Sequence, residues 1–227
     1  MKLLGIESSC EHVTVAACNG DRLEQRVVEG GKTPSDNLIP TALALLESLG
    51  LGLPQLDAIV LGVGPGAFTS LRLGCSVAQG FALSADLPIL PVCSLDAIAA
   101  AQGYDHVIVA TDARMGETYH AVYERDGDDV RAVVPPACHP PEQVNVPVGQ
   151  WWGVGTAFQA YADRLLVGVP AVLGRDGTAM PEAAMLLALA RCRGLGGALD
   201  AARVAPLYVR DKVALTTAER LARGGRA

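Results

Sequence analysis

The chain of 227 residues is 50% hydrophobic and 19% charged, with a formal net charge of −6. That composition provides for one large core or two small ones, and it excludes a protein that grips nucleic acid over its whole surface. The most apolar long window, LRLGCSVAQGFALSA, carries Arg72 and Gln79 and falls short of a membrane span, and no secretory leader precedes Glu7, so a cytoplasmic protein without membrane contact is expected.

KLLGIE, HVTVAAC and RLEQRVVE read as three strands, the second and third joined by a tight turn at Asn19-Gly20. A helix is expected from Ser35, as its cap, to Leu49, with a kink at Pro40. LDAIVLGV follows as a buried strand, TSLRLGCSVAQGFALSA as a helix, LPILPV as a short strand and SLDAIAAAQ as a helix. The second half repeats the order. HVIVATD, ETYHAVYER and DVRAVV make three strands with a turn at Asp126-Gly127, followed by strand WWGVG, a helix through TAFQAYADRLL, strand PAVL and helix PEAAMLLALARCR. Glu7 and Asp112 both close the first strand of their half, and the hairpin glycine follows 13 residues after the first and 15 after the second. A duplicated βββαβα unit is the plan of the actin-like superfold of sugar kinases and heat-shock ATPases, two α/β lobes around a cleft. The expected lobes are 1–104 and 105–210, with a basic tail over 211–227.

The six cysteines lack C-x-x-C spacing and read as reduced thiols, and the four histidines show no i, i+4 pair, so no metal site is expected. The loop GPGAFTSLR has no lysine for nucleotide phosphates. Glu7, Ser8, Ser9 and Asp112 mark where an actin-like nucleotide site would lie, but the second turn, Asp112-Ala113-Arg114-Met115-Gly116, is bulky where close backbone approach is needed. These four read as a vestigial site, and no cofactor is expected. A Ser8, His12, Asp112 triad lacks the G-x-S-x-G elbow that would expose a nucleophile.

Taken together, LLGIESSCEHVTVAAC, GVGPGAFTSLRLGCSVAQGFA, DARMGETYHAVY and PLYVRDKVAL resemble the bacterial TsaB (YeaZ) family. The resemblance implies a non-catalytic subunit of the machinery that places threonylcarbamoyl on the adenosine beside the anticodon of ANN-decoding tRNAs. It implies pairing with the catalytic paralogue TsaD, homodimerisation when isolated, an ATPase helper TsaE, and contact with tRNA only through the complex. The paralogue carries an H-x-x-x-H metal motif on its first helix, where this chain reads KTPSDNLIPTALALL. The family has Asp at the place of Glu7 and a G-S-F-T-G-L-R loop where this chain has Ala67 and Ser70.

The helix after the loop is apolar nearly all round, its only charge being Arg72. Leu73, Val77, Phe81 and Ser84 are expected to face the sheet. Leu71, Gly74, Cys75, Ala78 and Ala82, with Leu38, Ile39, Ala42, Leu43 and Leu46 of the preceding helix, are expected to meet a partner. In the loop, Gly64 and Gly66 would permit the bend, Pro65 stiffen it and Thr69 cap the helix. Two other function classes stay open on the residues alone: an independent ATPase or kinase, resting on the fold, and a glycoprotease-like peptidase. From Arg210 onward, Lys212, Arg220, Arg223 and Arg226 outnumber Asp211 and Glu219, which reads as a solvated end, with contact to RNA as the alternative.

Overall fold

The computed structural model describes residues 1–28 and 34–210, so the expectations for Lys212 to Arg226 and the tail lie outside the described residues. The first repeat is β1 (Lys2–Glu7), β2 (Thr14–Asn19), β3 (Arg22–Val27), α1 (Pro34–Ser48), β4 (Ala58–Gly62), α2 (Phe68–Ala85), β5 (Ile89–Val92) and α3 (Ser94–Ala100). The second is β6 (His106–Asp112), β7 (Thr118–Asp126), β8 (Asp129–His139), β9 (Trp151–Val154), α4 (Ala157–Ala160), β10 (Val172–Asp176) and α5 (Ala183–Arg193). Each sheet has five strands, in the orders β3-β2-β1-β4-β5 and β8-β7-β6-β9-β10, so the two halves share one topology. In both, the first three strands pair antiparallel and the next two are parallel to the first. This is the duplicated two-lobe α/β plan of the actin-like fold.

Hairpin positions follow from backbone chemistry. Gly20 and Gly127 take φ of 64° and 62°, the left-handed conformation that glycine enters without steric cost. Three apolar layers hold the molecule. On the outer face of the first sheet, Leu4, Ile6, Val15 and Leu61 pack against Leu38 and Leu45 of α1 and Ala78 and Phe81 of α2. Between the sheets, Leu3 and Val60 meet Leu95 and Ile98 of α3, Leu186 and Leu187 of α5, and Val109 and Tyr123 of the second sheet. The outer face of the second sheet packs on Phe158 and Leu165.

Packing joins the two repeats. α5 lies on β1 and β2, where Ala183 N–H donates to Thr14 Oγ1 at 2.9 Å, and Leu207 N–H returns to the Val63 carbonyl at 2.8 Å. Two local expectations are corrected. α1 begins at Pro34, which places Ser35 inside its first turn rather than at its cap. The helix expected through TAFQAYADRLL stops after Ala160, because Tyr161 leaves helical backbone (φ −128°, ψ 40°) and its hydroxyl reaches Asp112 at 2.7 Å.

Candidate functional site

β1 ends on Glu7, and the turn beyond it is the place where an actin-like fold would wrap phosphate. Here the chain itself fills it. Glu7 and Ser8 are fully buried, and Ser9 nearly so. Ser9 N–H donates to Glu7 Oε1 at 2.6 Å, and Ser94 Oγ donates to Glu7 Oε2 at 2.8 Å while accepting Gly64 N–H at 3.1 Å. Ser8 Oγ donates to the Ser70 carbonyl at 2.9 Å. Burial raises the Glu7 pKa, and the hydrogen bonds from Ser9 and Ser94 offset part of that rise. Three glycines make the enclosure possible. A methyl group on Gly62 would collide with the Glu7 carboxylate, on Gly66 with the Ser9 carbonyl, and on Gly74 with Ser8 Oγ.

The loop GPGAFTSLR therefore approaches its own chain. Gly64 supplies the bend at φ 95°. Gly66 has no positive φ and serves close approach, and its neighbour Ala67 donates its N–H to the Ser9 carbonyl at 2.7 Å. Thr69 does not cap α2: the N-cap is Ala67, with no side-chain cap, and Thr69 stands exposed in the first turn. Ser94 carried no sequence signal beyond a helix start, since its partner Glu7 lies 87 positions away.

Asp112 is not brought into that network. Its Oδ1 accepts the Tyr161 hydroxyl at 2.7 Å and Arg114 N–H at 2.8 Å, and its own N–H donates to Thr156 Oγ1 at 3.0 Å. The turn after it is strained at Arg114 and Met115, at φ 60° and 57°, before Gly116 takes φ 76° without cost. Arg114 reaches across to Glu11 Oε1 at 2.5 Å. A cleft of about 1000 Å³ lies between the two turns and is lined by Ser9 of the first and Asp112 of the second, with Cys10, Phe68, Leu95, Met115 and Tyr208 among others, so two of the four residues expected at a nucleotide site share one cleft while Glu7 and Ser8 are buried beneath it. Ser8, bonded to the Ser70 carbonyl, and Asp112, bonded to Tyr161, are engaged apart from one another, which leaves no triad.

The expected partner face is corrected by burial. Leu71, Gly74, Cys75, Ala78 and Ala82 of α2 and Leu38, Ala42 and Leu46 of α1 are packed inside the chain, with Ala78, Leu38 and Ala42 showing no exposed surface. Small residues let α2 approach its own sheet, not a second molecule. Of the ten residues expected there, Ile39 and Leu43 stand exposed, at 42% and 44%. They continue an outward stripe of α1 through Asp36, Pro40, Ala44 and Glu47, and α2 presents Phe68, Arg72, Ser76, Gly80 and Leu83. Among the described residues no helix is long and apolar enough to cross a membrane.

A family model described as "TsaD: tRNA N6-adenosine threonylcarbamoyltransferase" matches residues 30–170. The chain is 32% identical to the tRNA threonylcarbamoyladenosine biosynthesis protein TsaB of Escherichia coli K12, over 94% of this chain and 96% of that one. It is 30% identical to the protein of the same name from Bacillus subtilis 168, over 60% of each. YeaZ from Pseudomonas aeruginosa superposes with a TM-score of 0.83 at 32% identity, covering 91% of this chain and 99% of that one. The length of these matches and the repeated sheet topology agree, and the chain belongs to the TsaB (YeaZ) family, built on a TsaD-type domain.

Proposed function

We propose that this protein acts in tRNA threonylcarbamoyladenosine biosynthesis as a non-catalytic, cytoplasmic subunit. It pairs with and activates the catalytic paralogue TsaD, which transfers threonylcarbamoyl to the adenosine beside the anticodon of ANN-decoding tRNAs. The observation that carries the reading is the outer face of the first lobe, where Ile39 and Leu43 of α1 and Leu83 of α2 stand 42%, 44% and 73% exposed on two helices packed on the same side of the sheet. The filled turn around Glu7 supports the non-catalytic half, because the groups that would wrap a phosphate are occupied by Ser9, Ser70 and Ser94. TsaE joins as an ATPase helper, tRNA is reached through the complex, and the isolated chain pairs with itself through the same face.

The test is light scattering of the chain mixed with a TsaD homologue, followed by tRNA modification from threonylcarbamoyl-adenylate. The chain alone is expected to form no product, and the mixture to form a stoichiometric complex with activity. Gly80→Arg puts bulk and charge on the exposed stripe, where a Cβ meets nothing within 4 Å, so it is expected to fold and to abolish both complex and activation. Steady product from the chain alone, or normal pairing by that variant, overturns the reading.

A further inference from the structure

The outward stripe of α2 carries one charge, Arg72, and the structure holds it in a prepared position. Its Cζ lies 3.8 Å above the centroid of Phe68, one helical turn back. Its Nε donates to the Tyr208 hydroxyl at 3.2 Å, and the Phe68 and Tyr208 rings are 5.8 Å apart. Arg72 thus stands on one aromatic ring and is tied to another that arrives from the far end of the chain. The terminal Nη1 and Nη2 take no part in that hydrogen bond, and among the described residues Arg72 has no carboxylate partner. The flanking aromatics are themselves open, Phe68 at 55% and Tyr208 at 54%.

We propose that Arg72, clamped between Phe68 and Tyr208, is the charged anchor of the outer face and takes a carboxylate on the partner protein. The proposal rests on the reading that this face meets the catalytic paralogue, and adds what the partner must present there. A guanidinium already fixed by stacking loses little side-chain freedom on binding, and its free fork matches the two oxygens of a carboxylate. Arginine beside exposed aromatic rings is the composition from which interfaces draw most of their affinity. A carboxylate is favoured over a nucleic-acid phosphate by the surroundings: the chain has a net charge of −6 and no second cation shares the α2 stripe, whereas RNA requires clustered cations.

The experiment titrates the full chain against a TsaD homologue by calorimetry at low and high salt, comparing wild type with Arg72→Glu, Arg72→Lys, Phe68→Ala and Gly80→Arg. Arg72 is exposed, so each Arg72 variant is expected to melt close to wild type. Arg72→Glu and Phe68→Ala are expected to weaken pairing about tenfold or more, and Arg72→Lys to recover part of it, since an ammonium neither forks nor stacks as well. Scanning the homologue's exposed Asp and Glu residues to Arg is expected to yield one substitution that restores pairing with Arg72→Glu and not with Gly80→Arg. If Gly80→Arg blocks pairing but Arg72→Glu binds as wild type, the anchor is overturned and the face stands. If both bind normally, the face falls and the anchor with it. If Arg72→Glu pairs normally and only the assembled complex loses affinity for tRNA, the arginine meets phosphate and the carboxylate is overturned.

Discussion

Glu7 shows how a strand-end carboxylate can be wholly enclosed by its own chain. Its carboxylate has no exposed surface and its two oxygens accept from Ser9 N–H and Ser94 Oγ. Burial raises its pKa, so the folded chain binds this proton more tightly than the unfolded chain does. The stability owed to that group is complete below the ordinary carboxylate value of 4.5 and is lost as pH climbs through the raised one. Urea midpoints of wild type and Glu7→Gln, measured side by side from acid to neutral pH, are therefore expected to shift in favour of the variant as pH rises. A constant difference would mean that Glu7 titrates alike in both states. Gly66 tests the same enclosure from the other side: Gly66→Ala drives a methyl group into the Ser9 carbonyl, and overpacking of this kind costs about 1–3 kcal/mol in urea unfolding.

At the scale of elements, α2 separates two kinds of position that look alike in sequence. Ala78 and Gly80 are both small, yet Ala78 has no exposed surface and touches the sheet core while Gly80 faces open space. Ala78→Arg is expected to lose several kcal/mol or to fail to fold, because a charge would be buried without a partner. Gly80→Arg is expected to melt at or above wild type, as glycine in a helix interior costs about 1 kcal/mol relative to better formers. Thermal melts by circular dichroism distinguish the two, and equal melts would place Ala78 at the surface. The sequence revealed the order of strands and helices because period and turn residues are local signals, and Gly20 and Gly127 sit at both hairpins as read. It could not reveal which face of α2 is outward, since a helix apolar nearly all round has no contrast to read. The closed turn was hidden for a different reason: Glu7, Gly62, Gly74 and Ser94 come together only when β1, β4, α2 and α3 are assembled. Tyr161 escaped likewise, its hydroxyl being bonded to Asp112, 49 positions earlier.

At the scale of the molecule, two sheets of equal topology are held together by α3 and α5 between them and by a returning segment across the cleft. That segment runs from Leu207, bound to Val63 of the first lobe, through Tyr208 on Phe68, to Arg210 in the second. Arg210 Nη2 donates to the carbonyls of Ala113 and Arg114 at 2.7 and 3.2 Å, and its Nε lies 2.8 Å from Glu117. These contacts grip the turn whose Arg114 and Met115 have φ of 60° and 57°, a conformation that costs non-glycine residues free energy and persists where the surroundings over-determine it. A second tie across the cleft, Arg114 with Glu11, is between side chains 70% and 88% exposed and contributes little. Arg210→Ala removes the donor from two carbonyls, a loss of about 1–3 kcal/mol, and its effect belongs to the turn and not to the sheets. Amide exchange over residues 113–117 is expected to accelerate about tenfold or more, while β1 and β4 exchange as in wild type. If both regions accelerate together, Arg210 supports the whole molecule; if neither does, Asp112 and the Ala113 N–H bond to the Glu117 carbonyl hold the turn unaided.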